Sequence, residues 1–226
     1  MSISVKNKVI CITGSSIGIG REDAFSFAKE GAIIVITFNT NQTEAEKVAK
    51  QCMKLGASGT FVLQLNVMDD SSIKNAVKTI VAKYKHIDIL INNAGVILWK
   101  HLEDQTSEEI ELQTRTNLEG LIKMTKECLP HVKEMIINMA SAAGLEGYEN
   151  ITTYCATKWG VRGFTKAIAN ETPLKVFSVN PGVIATQMNN FKGMPPEKVA
   201  KVILNLAKGK YNLDSGSDVN IWDYVE

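Results

Sequence analysis

KVICITGSSIGIG, residues 8–20, decides the fold. Lys8–Thr13 is an apolar run that reads as a buried strand, and Gly14, Gly18 and Gly20 follow it directly. Beyond them Ala24, Phe25, Phe27 and Ala28 recur at helical spacing. Glycine permits a tight strand-to-helix turn and lets a phosphate approach the backbone closely. The start of the helix then offers unpaired N–H groups and a favourable dipole to a pyrophosphate. The spacing is TGxxxGxG, not GxGxxG, and Arg21-Glu22 after Gly20 excludes a P-loop lysine. Taken alone, the cluster is also compatible with a purely structural turn.

Working outward, the strand–helix pattern repeats. Ile33–Thr37 is strand-like and leads into TEAEKVAKQCMKLG at 43–56. TFVLQL at 60–65 precedes SSIKNAVKTIVAKY at 71–84, and IDILI at 87–91, EMIINM at 134–139 and VFSVN at 176–180 continue the series. Leu121–Cys128 and Trp159–Ala169 read as helices, parts of longer ones around 107–130 and 152–170. Strands rich in Val and Ile that lack strict alternation are those of a parallel sheet covered on both faces. Right-handed crossovers make a doubly wound α/β sheet the simplest arrangement. Val219–Trp222 is the candidate last strand, and Trp222 and Tyr224 are candidates for packing at an interface. No linker or charge block divides the chain, so residues 1–226 are expected to form one domain.

Composition bounds the function. Of the 226 residues 45% are hydrophobic and 22% charged, which fits a globular protein. Twenty-five basic residues against 24 acidic ones leave a net charge of +1, no footprint for nucleic acid or an anionic membrane. Cys11, Cys52, Cys128 and Cys155 are scattered, and His86, His101 and His131 lack ligand spacing, so neither a disulfide framework nor a metal site is expected. No run approaches the roughly 18 apolar residues of a membrane span, and the N-terminus carries no export signature, so a cytoplasmic location is expected.

Two further features carry chemistry. Tyr154 and Lys158 are four residues apart and share one face of a helix. An ammonium beside a phenol favours the phenolate, which would lower the tyrosine from its usual value near about 10 and make it a general acid/base. A solvated Tyr/Lys pair is the bland alternative. Ser141 follows the EMIINM strand directly, at the end of a parallel strand where open α/β sheets bind ligands. It is equally suited to capping the next segment. No GxSxG surrounds it, which argues against an acyl nucleophile.

Together TGSSIGIG at 13–20, NNAG at 92–95, Asn117, Ser141, YCATK at 154–158 and NPGVIAT at 180–186 resemble the short-chain dehydrogenase/reductase family, in the family's order over most of the chain. The resemblance implies a Rossmann-like fold and an NAD(P)-dependent oxidoreductase acting on a small carbonyl compound or secondary alcohol. It implies that Tyr154 exchanges the proton, Ser141 orients the substrate oxygen, Lys158 contacts the nicotinamide ribose and tunes Tyr154, and Asn117 helps hold a relay water. Cofactor contacts are then expected from Gly14, Ser16, Ile17, Gly18, Ile19, Phe38, Asn39, Asn66, Val67, Asn93, Ala94, Gly95, Pro181, Gly182, Ile184 and Thr186, besides Tyr154 and Lys158. Asn92 and Gly95 would shape the sheet edge beside the cofactor, and Leu145 and Val183 would join Ser141 and Tyr154 around the substrate. A homodimer or homotetramer is the expected assembly, with the helices around 107–130 and 152–170 as contacts.

Some positions depart from the family pattern. The region of Thr37–Thr40 carries neither the acidic residue that binds an adenosine ribose nor an arginine for a 2′-phosphate. The missing acid at Phe38 tips the expectation to NADP(H), with NAD(H) still open. Asn66-Val67 stands where the family more often has Asp-Val, and the substrate loop, around 183–197, is short. Leu98, Trp99, Leu145, Tyr148, Val183 and Met188 are pocket candidates by chain position, consistent with an apolar or aromatic carbonyl compound and equally with simple packing, whereas Glu146 would suit a sugar. A 3-oxoacyl thioester reductase and a sugar dehydrogenase are the enzymatic alternatives. A nucleotide-binding regulatory protein without turnover is the alternative of another class.

Overall fold

The computed structural model describes residues 3–225. The chain runs β1 (Val9–Ile12), α1 (Gly18–Lys29), β2 (Ile33–Phe38), α2 (Gln42–Leu55), β3 (Gly59–Gln64), α3 (Asp70–Tyr84) and β4 (Ile87–Asn92). Next come α4 (Ser107–Thr114), a π turn (Arg115–Glu119) and α5 (Gly120–Cys128), then β5 (Val132–Met139) and α6 (Thr152–Glu171). β6 (Lys175–Asn180), α7 (Pro196–Ala207) and β7 (Asp218–Asn220) complete it. The seven strands form one sheet in the order β3-β2-β1-β4-β5-β6-β7, and every pairing is parallel. Strand order therefore reverses between β1 and β4, and a crevice opens there at the carboxyl ends of the strands.

The near-continuous apolar strands are explained by helices on both faces. Ile10 and Ile12 of β1, Ile34 and Ile36 of β2 and Ile89 and Ile91 of β4 pack with α1, α2 and α7. Their sequence neighbours Val9, Cys11, Val35 and Leu90 point the other way and pack with α3, α5 and α6. Successive side chains alternate across a strand, so both parities must be apolar when both faces are buried.

Local chemistry sets the element ends. Asn41 and Asp69 cap α2 and α3 through side-chain bonds to Glu44, Ser71 and Ser72 N–H groups, and Thr106 with Glu109 forms a capping box at α4. β5 starts earlier than the EMIINM run because a bulge brings Val132 opposite Ile87. The last strand is shorter than Val219–Trp222: pairing ends at Asn220 and Ile221–Asp223 curls into a 3-10 turn. Tyr224 packs within the chain, its ring 4.3 Å from that of Tyr211, while Trp222 stays exposed. Among the described residues no helix is long and apolar enough to cross a membrane, and no His, Cys, Asp and Glu cluster could hold a metal ion.

Candidate active site

The glycine loop lies at the β1/β4 switch point and is held by hydroxyl groups. Gly14 N–H donates to Thr37 Oγ1 at 3.0 Å, Thr37 N–H donates to Ser15 Oγ at 2.9 Å, and Ser15 N–H donates to the Thr37 carbonyl at 3.0 Å. Asn93 and Ala94 N–H groups both donate to Thr13 Oγ1 at 2.9 Å, which ties the end of β4 to the loop. Gly14 and Gly18 adopt φ of +64° and +59°, conformations that favour glycine. Gly20 allows a close approach instead: a Cβ there would lie 2.5 Å from Asn93 Nδ2. Ile17 stands at the N-cap of α1 without a side-chain cap bond. The first turn of α1 is thus free to bind an anion, the arrangement a dinucleotide pyrophosphate requires. Gly18 faces the Thr186 side chain, so the glycine loop and the segment after β6 close on one another.

Thr13, Ser15 and Thr37 anchor this loop and were missing from the residues expected from sequence. A hydroxyl at the carboxyl end of an apolar strand is the one signal that could have marked them. Ser16, Ile19 and Asn93 surround the same turn, with Ile17 exposed on it. The side chains of Phe38 and Ile184 are buried in the core cluster of the α1 face. Any contact they make with a cofactor is left to their backbone. Asn39 is exposed, and its carbonyl accepts from Gln64 Nε2 at 2.9 Å. Asn66 uses Oδ1 to accept the Met68 N–H at 3.0 Å, an Asx turn that shapes the loop ahead of the buried Val67. A depression of about 430 Å³ is lined by Asn39 and Asn66 together with Gln64 and Ser72. Another, of about 410 Å³ between α3 and α5, is remote from Tyr154 and holds none of the reactive groups.

The other half of the crevice brings four distant residues together. Asn117 sits in the π turn, where a helix running on from α4 to α5 locally widens, a device frequent at functional sites. Its Oδ1 accepts the Val96 N–H at 2.8 Å, and its Nδ2 donates to the Val96 carbonyl at 2.8 Å and to Thr157 Oγ1 at 3.3 Å. Gly95 lies between Asn117 and Lys158: a Cβ there would be 3.2 Å from Asn117 Oδ1 and 3.8 Å from Lys158 Nζ. Lys158 Nζ donates to the carbonyl of Met139, the last residue of β5, at 2.7 Å. Ser141 follows that strand by two residues. Its Oγ accepts the Ala143 N–H at 3.1 Å, so it caps the short turn Ala142–Gly144 and also faces Tyr154. The N–H of Ala142 donates to the Pro181 carbonyl at 2.8 Å, joining the serine turn to the segment that carries exposed Gly182 and Val183. Leu145 closes the same turn, half-buried.

Burial governs the electrostatics. Tyr154 is pushed up to about 12 by desolvation, with the Ser141 hydrogen bond pulling the other way. Lys158, also buried, is brought down to about 8 by desolvation. Burial therefore acts on the tyrosine in the direction opposite to that expected of a neighbouring ammonium. The ammonium is 5.4 Å from the ring centroid and is engaged by the Met139 carbonyl, and removal from water is the largest cause for each group. At neutral pH Tyr154 is a protonated phenol, the form that donates a proton. Asn92 is buried as a structural tie: its Nδ2 reaches Thr125 Oγ1 and Asn138 Oδ1, each at 2.9 Å, and Asn138 in turn reaches Thr165 Oγ1 at 3.0 Å.

The comparisons agree with this geometry. Residues 8–195 match the family model described as short chain dehydrogenase. A 3-oxoacyl-(acyl-carrier-protein) reductase of Thermotoga maritima is 32% identical over 96% of this chain and 97% of its own length. An NADP-dependent 3-hydroxy acid dehydrogenase of Schizosaccharomyces pombe is 31% identical over 87% of this chain and 85% of its own. Among solved structures, a dehydrogenase/reductase from Sinorhizobium meliloti superposes with a TM-score of 0.91 at 24% identity, covering 97% of this chain and 95% of that one. Glycine loop, uncapped helix start, buried Tyr154–Lys158 pair and family match lead to one conclusion: the chain belongs to the short-chain dehydrogenase/reductase family and is an NAD(P)-dependent oxidoreductase.

Proposed function

We propose that this oxidoreductase interconverts a small ketone or aldehyde and its alcohol, with Tyr154 as the general acid/base. The observation that carries this reading is the convergence of Asn117, Ser141, Tyr154 and Lys158 from three separate segments onto one crevice. The uncapped first turn of α1, with Gly14, Gly18 and Gly20, fits the pyrophosphate of a dinucleotide, and Lys158 fits a ribose hydroxyl. When bound, the nicotinamide ring supplies hydride exchange at the carbonyl carbon. Ser141 donates a hydrogen bond to the substrate oxygen, and Tyr154 delivers its proton as alkoxide charge develops there. The Asn117 amide is already engaged with Val96 and Thr157, so its part is to fix the strand end beside Lys158.

NADP(H) is the favoured cofactor, since no carboxylate stands at the end of β2 to repel a 2′-phosphate, and NAD(H) is the alternative. Exposed Trp99, Tyr148, Val183, Met188 and Phe191 favour an apolar or acyl substrate over a sugar. The short loop 183–197 covers it, and Trp99 Nε1 donates to the Met188 carbonyl at 3.3 Å across its edge. The relatives named as 3-oxoacyl reductases support a 3-oxoacyl thioester as the enzymatic alternative. Exposed Leu112 and Ile122 on α4 and α5 and Trp159 on α6 support a homodimer or homotetramer, and four buried free cysteines suit the cytoplasm.

Parallel titration with NADPH and NADH, followed by turnover on 3-oxoacyl thioesters, keto acids, apolar ketones and sugars, tests the reading. We expect tighter NADPH binding, by about tenfold or more, and reduction of an acyl or apolar carbonyl. Tighter NADH binding would reverse the cofactor preference. Nucleotide binding without turnover of any carbonyl would favour a regulatory role instead.

A further inference from the structure

Arg162 lies four residues beyond Lys158 on α6, and its guanidinium is largely buried at the junction of α6, β6 and β7. Its Nε and Nη2 form a fork to both oxygens of Asp218, at 2.9 and 2.7 Å. Ser178 of β6 donates its hydroxyl to the same carboxylate, and Lys166 approaches it at 3.0 Å. These partners hold the Asp218 carboxyl well below the usual carboxylate range against the cost of burial. The remaining arm, Nη1, donates to the carbonyl of Gly144. Gly144 ends the short turn that begins at Ser141. That turn lies directly on α6: a Cβ at Gly144 would be 2.7 Å from the Lys158 carbonyl oxygen. A charged clamp therefore joins the helix of Tyr154 and Lys158, the turn of Ser141 and the edge of the sheet.

From this geometry we infer that Arg162, braced by Asp218 and Ser178, is a positioning residue that keeps the Ser141 hydroxyl against Tyr154. The inference rests on the functional reading above. Its rival is a plain structural ion pair at the sheet edge. The two differ in how they couple to Ser141, because a residue acting through the serine has nothing left to lose once the serine is gone. A misplacement of about 1 Å in a reacting group costs on the order of 100-fold, which sets the size of the effect.

The test is a double-mutant cycle of Arg162→Met and Ser141→Ala, with NADPH and the carbonyl the wild type reduces fastest. We expect Arg162→Met to lower kcat by about 10- to 100-fold with KM changed less than about threefold, and Arg162→Lys to fall between. In the Ser141→Ala background the same change should cost less than about twofold. Full additive losses, or an unchanged kcat, would overturn the assignment. Asp218→Asn carries the same cycle if the arginine variant does not fold. Hydrogen exchange of amides 142–146 decides independently of substrate. Faster exchange there in Arg162→Met, with β5 and α6 still protected, supports the clamp, and unchanged exchange contradicts it. A wild type that binds NADPH but reduces no carbonyl would fail the functional reading, and the exchange measurement still decides the clamp.

Discussion

At the residue scale, Asp23 of α1 is a buried acid with neither carboxyl oxygen hydrogen-bonded among the described residues. Burial, with Glu22 beside it, raises its pKa well above the usual range. A carboxyl held protonated in the folded state and ionised in the unfolded one above about pH 4 leaves stability intact in acid and erodes it as pH rises. An unpaired buried polar group costs about 1–3 kcal/mol. Asp23→Ala should therefore melt several degrees higher than wild type at pH 7.5, with the gap closing toward pH 4. An equal or lower Tm for the variant at pH 7.5 would contradict this. Nothing in the sequence marked Asp23, because an acid following Arg21-Glu22 reads as part of a solvated helix face. The burial of Tyr154 and Lys158 is illegible for a related reason: spacing shows that they are neighbours, not that both are dehydrated. With Lys158 near 8 and Tyr154 near 12, the reductive kcat/KM should fall above about pH 8 as the ammonium is lost while the phenol keeps its proton. A profile between pH 6 and 10 checks this, and a flat one would contradict it.

At the element scale, the site is made of strand ends, and these were legible where residue types are scarce. The Gly14–Gly20 turn stood out because few residues permit its conformation, and Gly20 makes that dependence testable. Gly20→Ala places a methyl against Asn93 Nδ2 and within 2.8 Å of the Gly14 carbonyl. Because α1 is otherwise packed by Ala24, Phe27 and Ala28, the fold should survive while NADPH affinity drops by about tenfold or more. Unchanged NADPH titration would remove the loop from the cofactor site. The π turn was not legible: its residues, RTNLE, carry no Pro or Gly that would mark a break in the helix. It follows from tertiary bonding, in which Asn117 reaches Val96 and Arg115 Nη2 reaches the Met68 carbonyl at 2.7 Å. Elements with one buried parity on each face, such as β1, β2 and β4, were read nearly to their ends. β7, whose Asp218 and Asn220 serve ion pairing and side-chain bonds, was not.

At the scale of the whole molecule, parallel topology turns separated motifs into one crevice. Each crossover returns the chain to a parallel strand, so residues following β1, β4, β5 and β6 meet at the carboxyl ends of the strands although they span positions 13–186. That is why a set of short motifs, each weak alone, specified the fold. It is also why long-range polar ties such as Asn92–Asn138–Thr165 and the Arg162–Asp218 clamp were invisible, since each depends on the register of strands distant in sequence. Tyr154 is buried in this crevice and faces Ser141. The most direct measurement compares Tyr154→Phe with wild type in NADPH-dependent carbonyl reduction, alongside NADPH titration of both proteins. Loss of about 100-fold or more in kcat with NADPH affinity held within about threefold is the predicted result. A phenylalanine variant that keeps more than about a tenth of wild-type kcat would contradict Tyr154 as the acid/base of this enzyme.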